Sequence, residues 1–83
     1  MDDHKSELQP YQRRLICETT ELVDRINKLE AMLIKYRTNA LDFTPTCSYE
    51  LLNAQYAAML DYLGILRQRA AIEGLSEHID ITL

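Results

Sequence analysis

Apolar residues return every seven positions from the start of the chain: Leu8, Leu15, Leu22, Leu29 and Tyr36. Ile26 and Leu33 follow Leu22 and Leu29 by four, so the stripe has a helical period near 3.5 and not the period of two of a strand. Ile16 and Val23 lie one step further round and widen it. The pattern predicts one amphipathic helix over about residues 8–37, roughly 45 Å long at 1.5 Å per residue. Ser6 with Gln9 three later offers a capping box ahead of it, and Pro10 is tolerated only in a first turn.

The pattern breaks over residues 38–46. Asn39 suits a left-handed cap, and Pro45 stops a helix from running through. Leu41 and Phe43 are apolar in this polar stretch and are expected to plug the end of a hairpin. A second helix is predicted over about 47–73. Several capping side chains compete at Thr46 to Ser48, and Cys47 with Glu50 mimics a box. One stripe of this helix, Leu52, Tyr56, Met59, Leu63, Leu66 and Ala70, matches the heptad of the first helix. A second stripe reads Leu51, Ala54, Ala58, Tyr62, Ile65 and Ile72. Gly74 is placed to end the helix, and the tail over 75–83 alternates polar and apolar residues as strands do.

The fold class that follows is all-α: an antiparallel two-helix hairpin, about 8–37 and 47–73, within a single domain over 1–83. The chain has 83 residues, of which 47% are apolar, and two helices alone cannot cover so much apolar surface. The hairpin is therefore expected to assemble into a homo-oligomeric helical bundle. Leu51, Ala54, Ala58, Tyr62 and Ile65 are the expected interface, with the small Ala54 and Ala58 permitting close helix approach. The formal net charge of −4 argues against a duplex nucleic-acid partner, which selects a basic face. The two cysteines, Cys17 and Cys47, have no CxxC spacing and imply neither a disulfide scaffold nor a metal site. No apolar run reaches membrane-spanning length, and the polar start of the chain is unlike a secretory signal. A cytoplasmic location is the expectation, in the host cell if the chain is phage-encoded.

Signals for catalysis are missing. His4 and His78 stand alone, with no metal-binding helix motif, Gly-rich phosphate loop or nucleophile elbow. Neither an enzyme nor a cofactor is expected. The carboxylates Glu18, Glu21 and Asp24 read as a solvated face, with Glu21 to Arg25 and Asp24 to Lys28 in the favourable i,i+4 order. The arginines carry more information. An antiparallel hairpin brings the start of its first helix to the end of its second, which places Tyr11, Arg13 and Arg14 with Arg67 and Arg69. Arginine forks bind phosphate bidentately, and an aromatic ring stacks on a base. The competing reading pairs these arginines with Glu7, Glu18, Glu73 or Glu77. A second candidate site is the loop end, where Lys35, Tyr36 and Arg37 approach Phe43 and Tyr49.

Several stretches together carry a resemblance: Tyr11-Gln12-Arg13-Arg14-Leu15, Glu21-Leu22-Val23-Asp24-Arg25-Ile26-Asn27-Lys28-Leu29, Leu41-Asp42-Phe43 before a proline and a cysteine, and Met59-Leu60-Asp61-Tyr62-Leu63-Gly64-Ile65-Leu66-Arg67-Gln68-Arg69. Over about residues 8–74 the chain resembles a family of small phage proteins related to a crAss-like phage protein. In size and two-helix plan it is similar to the helical-hairpin group that contains the anti-CBASS and anti-Thoeris sponges. The resemblance implies a homo-oligomer that evades bacterial immunity. It would sequester a nucleotide signal, of the cyclic oligonucleotide or cyclic ADP-ribose type, without cleaving it. It transfers no ligand residue, so Tyr11, Arg13, Arg14, Arg67 and Arg69 stay nominated by hairpin geometry. The rival expectation is a protein-interaction module that grips a host or phage protein with the apolar face of helix 2.

Overall fold

A computed structural model of the chain describes residues 8–79. Helix α1 runs Pro10–Arg37 and helix α2 runs Tyr49–Ile72, followed by a 3-10 turn at Ser76–His78. The described residues contain no strand. Both helices begin two residues later than their apolar patterns suggest, and α2 ends one residue earlier. Pro10 takes the first helical position, where its missing N–H is no loss. The box in front of it is formed by Gln9 and Gln12, with the Gln12 side chain accepting the Gln9 N–H at 2.8 Å. The box expected at Ser6 lies outside the described residues. At α2 the cap is Ser48 and not Cys47, because a hydroxyl is the better acceptor; it takes the Leu51 N–H at 3.1 Å.

Both helices close with the same device. The N–H of Asn39 bonds the Tyr36 carbonyl and that of Ala40 the Lys35 carbonyl, while Asn39 sits at φ 58°. The N–H of Gly74 bonds the Ala71 carbonyl and that of Leu75 the Ala70 carbonyl, with Gly74 at φ 73°. These are paired Schellman closures, each turning on one left-handed residue. At the second, the residue after the glycine is apolar and folds back under the helix end. Leu75 is fully buried there and Ile79 packs on the same core. The strand-like alternation of the tail is thus a misleading signal over its described part, which forms a 3-10 turn against its own hairpin. Ile81 and Leu83 lie outside the described residues.

The helices are antiparallel: Tyr11 at the start of α1 meets Glu73 at the end of α2, and Tyr36 meets Tyr49 beside the connection. Between them Leu15, Leu22 and Ile26 of α1 pack with Leu63, Leu66 and Ala70 of α2. Each such leucine contributes about 1.5–3 kcal/mol by leaving water. Thr19 lies in this seam with no exposure at all, and its hydroxyl donates to the Leu15 carbonyl at 2.7 Å. That bond satisfies the polar group and lets a β-branched residue fill a heptad position as valine would.

The first stripe of α2 faces α1, and the second faces away. Leu51, Ala54, Ala58, Tyr62 and Ile65 are all exposed on the hairpin, Leu51 at 60% and Ile65 at 55%. Ile72 is 85% exposed. On α1, Asp24 and Lys28 pair at 3.0 Å as their spacing suggests. Glu21 does not take Arg25, and instead accepts the Cys17 thiol at 3.4 Å. No helix among the described residues is long and apolar enough to cross a membrane.

Candidate functional site

At the open end of the hairpin, the first turn of α1 and the last turn of α2 are tied by one carboxylate. Glu73 accepts the Tyr11 hydroxyl at 3.0 Å and Gln12 Nε2 at 3.2 Å through the same Oε1. The hydrogen bond to a carboxylate raises the Tyr11 phenol above its ordinary value; desolvation and the Glu73 charge add to the effect. Tyr11 remains 46% exposed, so its ring is tethered at the tip and open on its side.

The five residues nominated from the sequence are distributed around this end. Arg13 donates from Nη1 to the Leu8 carbonyl, which holds it along its own helix start. Arg67 lines a cleft of about 210 Å³ with Ala70, Ser76 and Ile79. Arg14 and Arg69 are exposed and make no side-chain hydrogen bond among the described residues. Two helical positions differ by about 200° of rotation, so Arg67 and Arg69 stand on opposite flanks of the seam. One hairpin therefore offers its open-end cleft a single α2 arginine. None of the four arginines pairs with a carboxylate among the described residues, and Glu73 is already taken by Tyr11 and Gln12. Glu7 lies outside those residues.

The cleft owes its walls to the chain reversal after Gly74. Arg67, Ala70, Ser76 and Ile79 line it together, so a residue with a guanidinium and one with a hydroxyl share its wall with apolar residues. That combination suits a small anion that carries an organic part. Sequence reasoning missed Ser76 and Ile79. The available signal was the apolar Leu75 directly after a C-terminal glycine, which marks a chain folding back and not leaving.

The loop end has its own geometry. The Tyr36 and Tyr49 rings meet edge to face, with centroids 5.6 Å apart and an 82° interplanar angle. The Tyr36 hydroxyl donates to the Cys47 carbonyl at 3.3 Å, and Arg37 Nη1 donates to the Tyr49 hydroxyl at 3.4 Å. Leu41 is half-buried, but Phe43 is 55% exposed and does not plug the hairpin. It lines two clefts of the loop end. No group of three or more His, Cys, Asp or Glu side chains suited to a metal occurs among the described residues.

An elongated two-helix hairpin with cationic residues at both ends defines the class: a small helical protein with a cleft at each end and a long exposed helix face. By sequence it belongs to the Sequestin family, whose family model matches residues 9–72. The match spans both helices and the connection, and stops before the turn that completes the open-end cleft. Comparison with curated proteins and with solved structures finds no match.

Proposed function

We propose that this protein is a phage anti-defence protein. It binds and sequesters a nucleotide-type immune signal, a cyclic oligonucleotide or a cyclic ADP-ribose isomer, and does not cleave it. Membership of the Sequestin family fits a sequestering protein. The observation that carries the reading is Arg67, lining the open-end cleft with Ser76 and unpaired with any carboxylate among the described residues. An arginine without an ion pair among the described residues, in a chain of net charge −4, is available for an anionic ligand. Tyr11, fixed by its hydroxyl with an open ring side, is the stacking partner for a base. Arg13, Arg14 and Arg69 surround the same end and add to its local positive field.

The hairpin works as a homo-oligomer in this reading. The exposed stripe Leu51, Ala54, Ala58, Tyr62 and Ile65 packs against copies of itself. Closure brings open ends from different subunits together, so that Arg69 of one copy complements Arg67 of another. The same stripe is the one feature that favours the second reading, a module gripping a host or phage protein through α2. The experiment is a thermal-shift screen of cyclic dinucleotides, cyclic trinucleotides and cyclic ADP-ribose isomers, followed by recovery of the ligand after heat denaturation. A sequestering protein is stabilised by one class and returns it chemically intact. A hydrolysed product, or no stabilisation by any of them with a monomeric protein, rejects the reading.

A further inference from the structure

We infer that the loop end of the hairpin is a second, separate ligand site, which takes a planar amino-substituted aromatic ring carrying one phosphate, a nucleoside monophosphate in chemical class. Phe43 and Leu41 line two clefts at once, one of about 370 Å³ and one of about 270 Å³. Phe43 borders both clefts and is 55% exposed, so its ring is accessible for stacking. The larger cleft also holds Met32, Lys35 and Asp42, and its volume lies in the range of small-molecule pockets, about 300–1,000 Å³. Its chemistry is divided. Lys35 supplies an ammonium that pairs with no carboxylate among the described residues. Asp42 supplies an acceptor for an exocyclic amine and repels a phosphate placed at its own end. The ring therefore lies on Phe43 and Met32, its amine toward Asp42 and its phosphate toward Lys35.

The walls are held before any ligand arrives. Asn39 and Ala40 are locked by their N–H bonds to Tyr36 and Lys35, at 3.3 and 2.8 Å. On the other side the Tyr36–Tyr49 contact and the bond from Tyr36 to the Cys47 carbonyl fasten the loop to α2. A preorganised cleft loses less entropy on binding than a loop that must be ordered. This site lies at the opposite end of α1 from the Arg67 cleft, about 40 Å away along a 28-residue helix, and stands whether or not the open end binds a signal.

The test is amide and aromatic NMR of the full chain, titrated in turn with adenosine 5′-monophosphate, adenosine and inorganic phosphate. The expected result is perturbation of the amides over residues 31–43 and of the Phe43 ring, with the monophosphate binding at least tenfold tighter than adenosine or phosphate. Phe43→Ala abolishes that preference for the nucleotide, Phe43→Leu weakens it, and Lys35→Gln brings the monophosphate down to the affinity of adenosine. Arg67→Ala leaves all three titrations of the loop end unchanged. Perturbation confined to residues 67–79, equal affinity for phosphate and the monophosphate, or undiminished binding by a folded Phe43→Leu protein overturns the inference.

Discussion

The Tyr11 hydroxyl donates a 3.0 Å hydrogen bond to Oε1 of Glu73, 62 residues further along the chain. That bond, with the one from Gln12, joins the first turn of α1 to the residue that caps α2. It also settles the use of a carboxylate that sequence proximity would have given to an arginine. The tether occupies that carboxylate and holds the Tyr11 ring by its hydroxyl.

The tether responds to alkaline pH. Tyr11 is raised above its ordinary value first by its hydrogen bond to Glu73. Tyr56 is raised first by desolvation and then by the Glu30 carboxylate, which accepts its hydroxyl at 3.4 Å. A group whose folded value is raised contributes stability that is complete below its unfolded value, about 10, and is lost as pH climbs through the folded one. Melting temperature should fall more steeply above about pH 10 than Tyr11→Phe/Tyr56→Phe protein shows. Circular dichroism melts across that range check it, and identical alkaline slopes for the two proteins contradict it.

Leu63 and Leu66 are buried at the centre of the seam and touch both helices. Leu63→Ala, Leu66→Ala or Leu22→Ala should each cost about 2–5 kcal/mol, which in so short a chain is most of its stability. Leu75→Ala belongs in the same series, since that side chain is equally buried although it lies beyond α2. Urea denaturation measures all four; a Leu75→Ala protein as stable as wild type would show that the turn after Gly74 adds nothing to the core.

The outer face of α2 predicts self-association. Ala58 is exposed on the hairpin and central to the stripe of Leu51, Ala54, Tyr62 and Ile65. Ala58→Glu should place an unpaired charge between subunits, at several kcal/mol, and dissociate the assembly without unfolding the hairpin. Light scattering of wild type and variant at micromolar concentration decides the matter. A wild-type mass equal to one chain sinks the prediction.

Arg67→Ala should weaken binding of the sequestered nucleotide at least tenfold, as expected from losing a charge-assisted hydrogen bond of about 1.5–3 kcal/mol. The melting temperature of the free protein should hardly move, because Arg67 has no partner to lose among the described residues. Arg69→Ala is the informative companion. Arg69 lies on the other flank of α2, so it touches the ligand only where a second copy presents it to the first, and otherwise acts through its charge alone. Calorimetry on both variants, in assembled and Ala58→Glu backgrounds, separates the two contributions.

Much of this molecule is determined by its sequence, because its order is local. The heptads of Leu8 to Tyr36 and Leu52 to Ala70 specify two helices, the face each turns inward and their antiparallel pairing. Asn39 and Gly74 specify where those helices stop, since left-handed backbone is easy for few residues. The unpaired second stripe of α2 is legible for the same reason, a simple count of faces against partners. Other features depend on contacts between distant parts of the chain. Thr19, a polar residue, is wholly buried only because α2 packs over its face of α1. The period-two tail reads as a strand until Leu75 turns under α2 and brings Ser76 and Ile79 to Arg67. Helical spacing already separates Arg67 from Arg69 by about 200°, and the tertiary structure adds which of the two lines the open-end cleft. Hydrophobic spacing reports which face a helix buries; which polar groups then meet is decided by how the buried faces seat against each other.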